Sequence, residues 1–217
     1  MLRYAPMLAT FVAAALLTPA PPPGDLQSTL AKLDAASAHF TSAEAHVHRD
    51  SYNALIKDID DRQDGTLYVI RHKDGKSEMG MKTEGQNART IAYKDGVVRD
   101  YIPGSNCFNT VNKPGIDTYL SLGFGGSGKD LAANWNITDL GPDPALKAEK
   151  LDLVPKDSAV KANVTHVAIW IDLDQDVTRK LIFYSPTGDT NTATYSDIRP
   201  NKSINTSAYA IKGKPCS

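Results

Sequence analysis

Neither sign of charge is in excess: 24 lysines and arginines face 25 aspartates and glutamates, for a net charge of −1 at pH 7. No basic cluster interleaved with aromatics occurs, which argues against nucleic acid or any other polyanion as a partner. Cysteine is scarce, with two in 217 residues. The apolar run at residues 7–17 is about 11 residues, short of the ~20 that a spanning helix needs. A G-x-S-x-G elbow is missing, as is any Cys-His pairing in a recognisable frame, so nothing marks a nucleophilic hydrolase. No fixed-period repeat, low-complexity tract or domain-splitting linker interrupts the chain.

What is present begins with an export signal. One cation, Arg3, precedes the apolar run, and Thr18 and Ala20 supply the small residues of a cleavage site. Residues 1–20 are expected to be a signal peptide. Residues 21–217 are then expected to form one soluble domain outside the cytoplasm, long enough to bury about 70% of its unfolded surface. No cysteine lies at the cleavage point to carry a lipid. The export route permits oxidation, so a Cys107–Cys216 disulfide tying the C-terminal tail to a mid-chain loop is favoured. Two unpaired thiols are the alternative, and spacing alone does not decide between them.

After Gly24, "DLQSTLAKLDAASAHF" places Leu26, Leu30, Leu33, Ala36 and Phe40 at helical spacing, with Asp25 positioned to cap. Period-two runs follow: "SAEAHVHRDSYNA", "GTLYVIRH", "SEMGMKTE", "ARTIAYK" and "VVRDYIP". Asp74-Gly75 and Asp95-Gly96 are hairpin signals, because both dipeptides favour the positive φ of a primed turn. Between residues 117 and 139 the pattern breaks into two short helices, "DTYLSLGF" and "KDLAANW", around a glycine-rich joint. Strands resume with "AEKLDLVPK", "VTHVAIWIDL", "RKLIFYS" and "TATYSDI". A helix, a meander, a helical interruption and more meander predict an α+β fold with one large, curled antiparallel sheet.

Several constellations imitate chemistry and fail on detail. Residues 123–130, "GFGGSGKD", have the glycines and lysine of a phosphate loop, yet Asp130 stands where a hydroxyl should meet magnesium. "IDLDQD" spaces Asp172, Asp174 and Asp176 like a calcium loop without its glycine or distal glutamate, and reads as a solvated acidic hairpin. His46 and His48 share a strand face without a third ligand nearby, and with Val47 opposite them they suit an ordinary half-exposed edge strand. No metal or cofactor is expected.

An apolar inventory on strands remains. Leu67, Val69 and Arg71 fall on one face, so if the first two point inward, a guanidinium follows them. The adjoining arm offers Met79 and Met81, whose flexible thioether chains suit varied greasy ligands or simply fill a core.

The order of "LAKLDAASAHF", an extended strand, "DGTLYVIRHKDG", "TIAYKDGVVRDYIP", "KLDLVPK" and "VAIWIDLDQDVTRKLIFYS" resembles the LolA family of periplasmic lipoprotein carriers. The likeness runs over nearly all of residues 26–211. It implies an unclosed antiparallel half-barrel of about eleven strands with helices across its mouth as a lid. It also implies a hydrophobic interior that receives lipoprotein acyl chains, or another lipid, between an inner-membrane releasing complex and an outer-membrane receptor. The family's inward arginine maps to Arg71, where it would bond lid backbone in the empty state and be displaced by cargo. The alternative places Arg71 at a strand end, snorkelling to water. His72 replaces the family's proline, and the cysteine pair is not a general family feature.

The expectation is a monomeric carrier without chemistry of its own. Leu30 and Phe40 on the helix, Tyr119, Leu120 and Leu122 on the lid, and Leu67, Val69, Met79 and Met81 on the sheet would line its interior. A sensor module that reads lipids or envelope proteins on the same fold is the second possibility, and a cleft hydrolase the third.

Overall fold

The computed structural model describes residues 24–85, 87–105, 107–111, 122 and 124–216. The expected leader, Tyr119, Leu120 and most of the expected helix at 117–124 lie outside them. Helix α1 (Leu26–Ser37) starts where Asp25 accepts the backbone N–H groups of Gln27 and Ser28, as its sequence requires. A meander follows: β1 (Ser42–Asn53), β2 (Asp58–Arg71), β3 (Ser77–Glu84), β4 (Thr90–Lys94), β5 (Val97–Tyr101) and β6 (Cys107–Val111). Helix α2 (Gly128–Asn134) leads into β7 (Trp135–Asp143) and β8 (Ala148–Pro155), and the short α3 (Ser158–Lys161) links β8 to β9 (His166–Asp172). Strands β10 (Val177–Tyr184), β11 (Thr190–Pro200) and β12 (Lys214–Pro215) complete the order.

All twelve strands join one sheet in the order β12-β6-β5-β4-β3-β2-β1-β11-β10-β9-β8-β7. Every neighbouring pair is antiparallel except β12 on β6. The chain runs outward from β1 to one edge, crosses over, and meanders back from the other edge until β11 lies beside β1. The end strands β12 and β7 do not pair, so the sheet is unclosed. Register shifts in β1, β7 and β10 mark bulges, which increase local twist and let the sheet curl.

Strand alternation sorts the residues. Ala43, Ala45 and Val47 face inward beside Leu67 and Val69, and the register continues through Met79 and Met81. On the other side of β1 the same face carries Leu151, Leu153, Val167, Ile169 and Leu181, all buried in one apolar cluster with Leu33 of α1. The two halves are filled unequally. The inward apolar residues Leu151 and Leu153 of β8 and Val167, Ile169 and Ile171 of β9 are 0–4% exposed, whereas Met79, Met81 and Ile91 stay half-buried.

Four expectations need correction. Strand β7 was read partly as helix, because its inward row is Trp135, Ile137 and Asp139, and the buried carboxylate breaks the apolar alternation. The acidic "IDLDQD" turn is not solvated: Asp172 is 9% and Asp176 3% exposed. Asp172 accepts backbone N–H groups of Asp174 and Gln175 and pairs with Arg179 at 2.7 Å, which compensates its burial. Strand β1 is central rather than an edge, and His48 lies between Asp64 and Asp50 on its outer face. Of the two hairpin signals, Asp95-Gly96 has positive φ at both residues, while at Asp74-Gly75 only Gly75 does.

Cys107 and Cys216 are bonded, Cα to Cα 5.0 Å. After β11 the chain turns at Asn201 and returns over the outer face. It passes the Thr206–Tyr209 turn of 3-10 helix on β3 and β4 and reaches β6.

Candidate functional site

The inward face of β2 ends in Arg71, whose half-buried guanidinium turns back onto α1. Its Nη1 donates to the Ser37 carbonyl at 3.0 Å and to Ser37 Oγ at 2.8 Å, at the last turn of α1. A helix ends with unpaired carbonyls and a partial negative charge, so a cation there satisfies both. The same guanidinium lies 5.9 Å from the Phe40 ring centre, and the Arg71 backbone N–H donates to Thr41. Strand end and helix end are thereby fastened together.

The buried stripe of α1 is Thr29, Leu33 and Ser37, at i, i+4 and i+8. Two of these three are polar, and both have buried partners. Thr29 Oγ1 donates to Asp139 on β7 at 2.7 Å, while Ser37 meets Arg71 and also donates to the Gly125 carbonyl. Leu33 is the single fully buried apolar side chain of the helix. The helix therefore rests on one leucine and two polar fastenings, a weaker seat than an apolar stripe would give.

The glycine-rich stretch packs against the same helix. A Cβ at Gly125, which has φ +72°, would fall 2.2 Å from the Phe40 ring, and one at Gly128 would fall 2.3 Å from the Leu30 carbonyl oxygen. These glycines admit close approach of backbone and ring, which the reading as a loose joint did not anticipate. Ser127 caps α2 by accepting the Asp130 N–H.

Beneath this layer lies Asp176, in the β9–β10 turn with φ +50°. Its carbonyl accepts the Gly125 N–H at 3.0 Å, yet its carboxylate Oδ2 has no partner among the described residues. Burial pushes its carboxyl up to about 7, and the Arg71 charge pulls back only part of the way. At the other end of α1, burial and the neighbouring Asp139 carboxyl raise Glu149 to about 7.

The described residues singled out as lining fall in one region. Phe40, Leu67, Val69 and Leu122 are fully buried members of the inner cluster, and Leu30, Met79 and Met81 pack against it half-buried. The Leu122 carbonyl is fixed by Thr178 Oγ1 at 2.7 Å. Sequence reasoning missed Thr29, Ser37, Asp139 and Asp176. The available signal was that polar residues at i and i+8 replace apolar ones around Leu33. No group of three or more metal-ligating side chains, and no helix long and apolar enough to cross a membrane, occurs among the described residues.

No protein-family model and no curated protein sequence matches the chain. Solved structures share its fold. MucB of Pseudomonas aeruginosa, in a complex structure with MucA, superposes with a TM-score of 0.52 at 12% identity over 87% of this chain. The chain spans 61% of the length of that MucB chain. An uncharacterized conserved protein from Thermus thermophilus superposes with a TM-score of 0.53 at 10% identity, covering 87% of this chain and 96% of its own. A LolA superfamily protein from Nitrosomonas europaea gives 0.41 at 13% identity over 86% and 97% of the two chains. The expected architecture, an unclosed antiparallel half-barrel, is the one observed, with twelve strands in place of about eleven.

Proposed function

We propose that the chain is an exported carrier that shields acyl chains of lipoproteins or other lipids between α1 and the inner face of the sheet. In this reading it hands them on without chemistry of its own. The observation that carries the proposal is the bond from Arg71 to the end of α1. Even a half-buried arginine gives up part of its hydration and needs acceptors in exchange. Here the acceptors belong to the element that must move if a guest enters.

An acyl chain of about sixteen carbons gains on the order of 12 kcal/mol on leaving water, at ~0.8 kcal/mol per CH₂. Uptake is therefore easy and release is the harder step. A latch that favours the closed, empty state subtracts from retention and returns that energy on hand-off. Leu30, Met79 and Met81, half-buried beside the latch, are proposed to touch the guest first. Phe40, Leu67, Val69 and Leu122 would form the wall behind them, with Tyr119 and Leu120 from the neighbouring segment. Export by the N-terminal leader, periplasmic residence and delivery from an inner-membrane complex to an outer-membrane receptor belong to the same proposal.

A second reading takes the fold as a sensor that binds an envelope protein. It is favoured by the MucB structures, one of which is a complex with MucA(peri). Native mass spectrometry of the purified protein with a membrane extract separates the two. Co-purified lipid or acylated protein supports the carrier, a peptide-only partner supports the sensor, and neither binding to the wild-type protein removes both.

A further inference from the structure

The outer face of the sheet holds a cavity over β2 to β6, to whose lining Met79 also contributes. Its origin is a row of cross-strand neighbours, Tyr68, Gly80, Ala92 and Arg99, on β2 to β5. The two middle positions carry nothing larger than a methyl group, so the floor is sunk between taller ends. The C-terminal strap passes over this depression. Tyr209 fills the notch above Gly80, where an added Cβ would stand 3.0 Å from the Tyr209 Cβ, and its ring meets Tyr68 edge-on at 4.8 Å. Beyond Tyr209 the strap bridges to the disulfide at Cys216 and roofs the space with Ile211. A cavity of about 350 Å³ remains, within the range of small-molecule sites.

Its charges are unequal. Both oxygens of Glu78 are engaged: Oε1 accepts from Tyr68 at 2.9 Å, and Oε2 meets Lys94 at 3.0 Å and His72 at 3.4 Å. Arg99 lies at the other end with its guanidinium 5.7 Å from the Phe108 ring centre, and no carboxylate pairs with it among the described residues. Glu78, Lys94 and Arg99 sum to one positive charge, carried by a planar fork over an aromatic ring. A guanidinium recognises a carboxylate through paired N–H donors, and Phe108, Ile211 and Tyr209 supply apolar walls. A dianionic phosphate would overshoot the single uncompensated charge.

We propose that this outer cavity binds small monocarboxylates with an apolar body, the head on Arg99 and the body between Phe108 and the strap. The proposal does not depend on the acyl carrier reading: it rests on Arg99, Phe108 and the strap, which that reading does not use, and Met79 is the residue the two sites share.

Amide NMR titration with phenylacetate tests it on the full disulfide-bonded protein, with phenethylamine as the isostere of opposite charge. Phenylacetate is expected to shift Ala92, Arg99, Phe108 and Ile211 saturably, and phenethylamine to leave them unmoved. Arg99→Gln should weaken phenylacetate at least tenfold. The double variant Cys107→Ser/Cys216→Ser, with its roof untethered, should weaken it as well. Equal binding of both isosteres, unchanged affinity in Arg99→Gln, or shifts confined to inward residues such as Val69 and Met81 would overturn the proposal.

Discussion

Replacing Arg71 by leucine should tighten cargo binding. The guanidinium makes two bonds to Ser37, at 3.0 and 2.8 Å, with α1 closed on the sheet. A hydrogen bond to a charged group is worth about 1.5–3 kcal/mol, and because both bonds leave one nitrogen of a part-exposed guanidinium, the pair is counted at the value of a single such bond in favour of the closed helix. A guest that lifts α1 must first overcome it. Deleting it from the closed state raises affinity by the same amount, about 10- to 150-fold at 1.4 kcal/mol per decade. Leucine also adds apolar wall at position 71, so a second variant isolates the latch. Ser37→Ala removes one acceptor, leaves the carbonyl, and should tighten binding by about 1 kcal/mol, roughly fivefold. The assay is fluorescence titration with a pyrene-labelled lysophosphatidylcholine, whose net neutral head avoids the cationic outer cavity. Transfer of the bound probe to vesicles should slow in the same order, wild type, Ser37→Ala, Arg71→Leu. Equal affinity in all three, or weaker binding in Arg71→Leu, would refute the latch.

Asp176 should make the protein less stable as pH rises. Its folded pKa of about 7 exceeds the ordinary 3.8, so between those values the folded chain keeps a proton that the unfolded chain has lost. Stability then falls across that window by at most about 4 kcal/mol, and Asp176→Asn should flatten the fall in urea midpoints measured from pH 4 to 8. Glu149, raised to about 7 as well, should leave a residual slope of the same sign. Breaking the disulfide opens a loop with a sequence separation of 109, and the Cys107→Ser/Cys216→Ser protein should lose up to about 4–5 kcal/mol in the same urea assay. Gly125→Ala forces a Cβ into the Phe40 ring at a positive φ, and should destabilise the fold by more than about 2 kcal/mol, read as a lower urea midpoint.

The strands were legible because one buried face imposes period two on a meander, and β3 runs over Ser77–Glu84 as its sequence reads. The helix start was legible through its cap at Asp25. Partners brought together across the sheet were not. Thr29 and Asp139 are 110 residues apart, and nothing local in either segment announces their bond. The same holds for Ser37 and Arg71, where only the inward phase of the arginine raised the question. Asp176 was misread for a related reason. Alternate aspartates in a turn look solvated until a positive φ turns one of them inward. The outer cavity was invisible because it needs three distant facts at once: a floor without side chains, a returning tail and a disulfide.

Photo-crosslinking with a lipid carrying a diazirine along its acyl chain tests the central claim most directly, since it reports where the guest lies. The account predicts labelled peptides containing Leu30, Met79 and Met81, lost when unlabelled lysophosphatidylcholine competes. Labelling confined to outer-face residues such as His46 and Trp170, with none on the inward row, would contradict it.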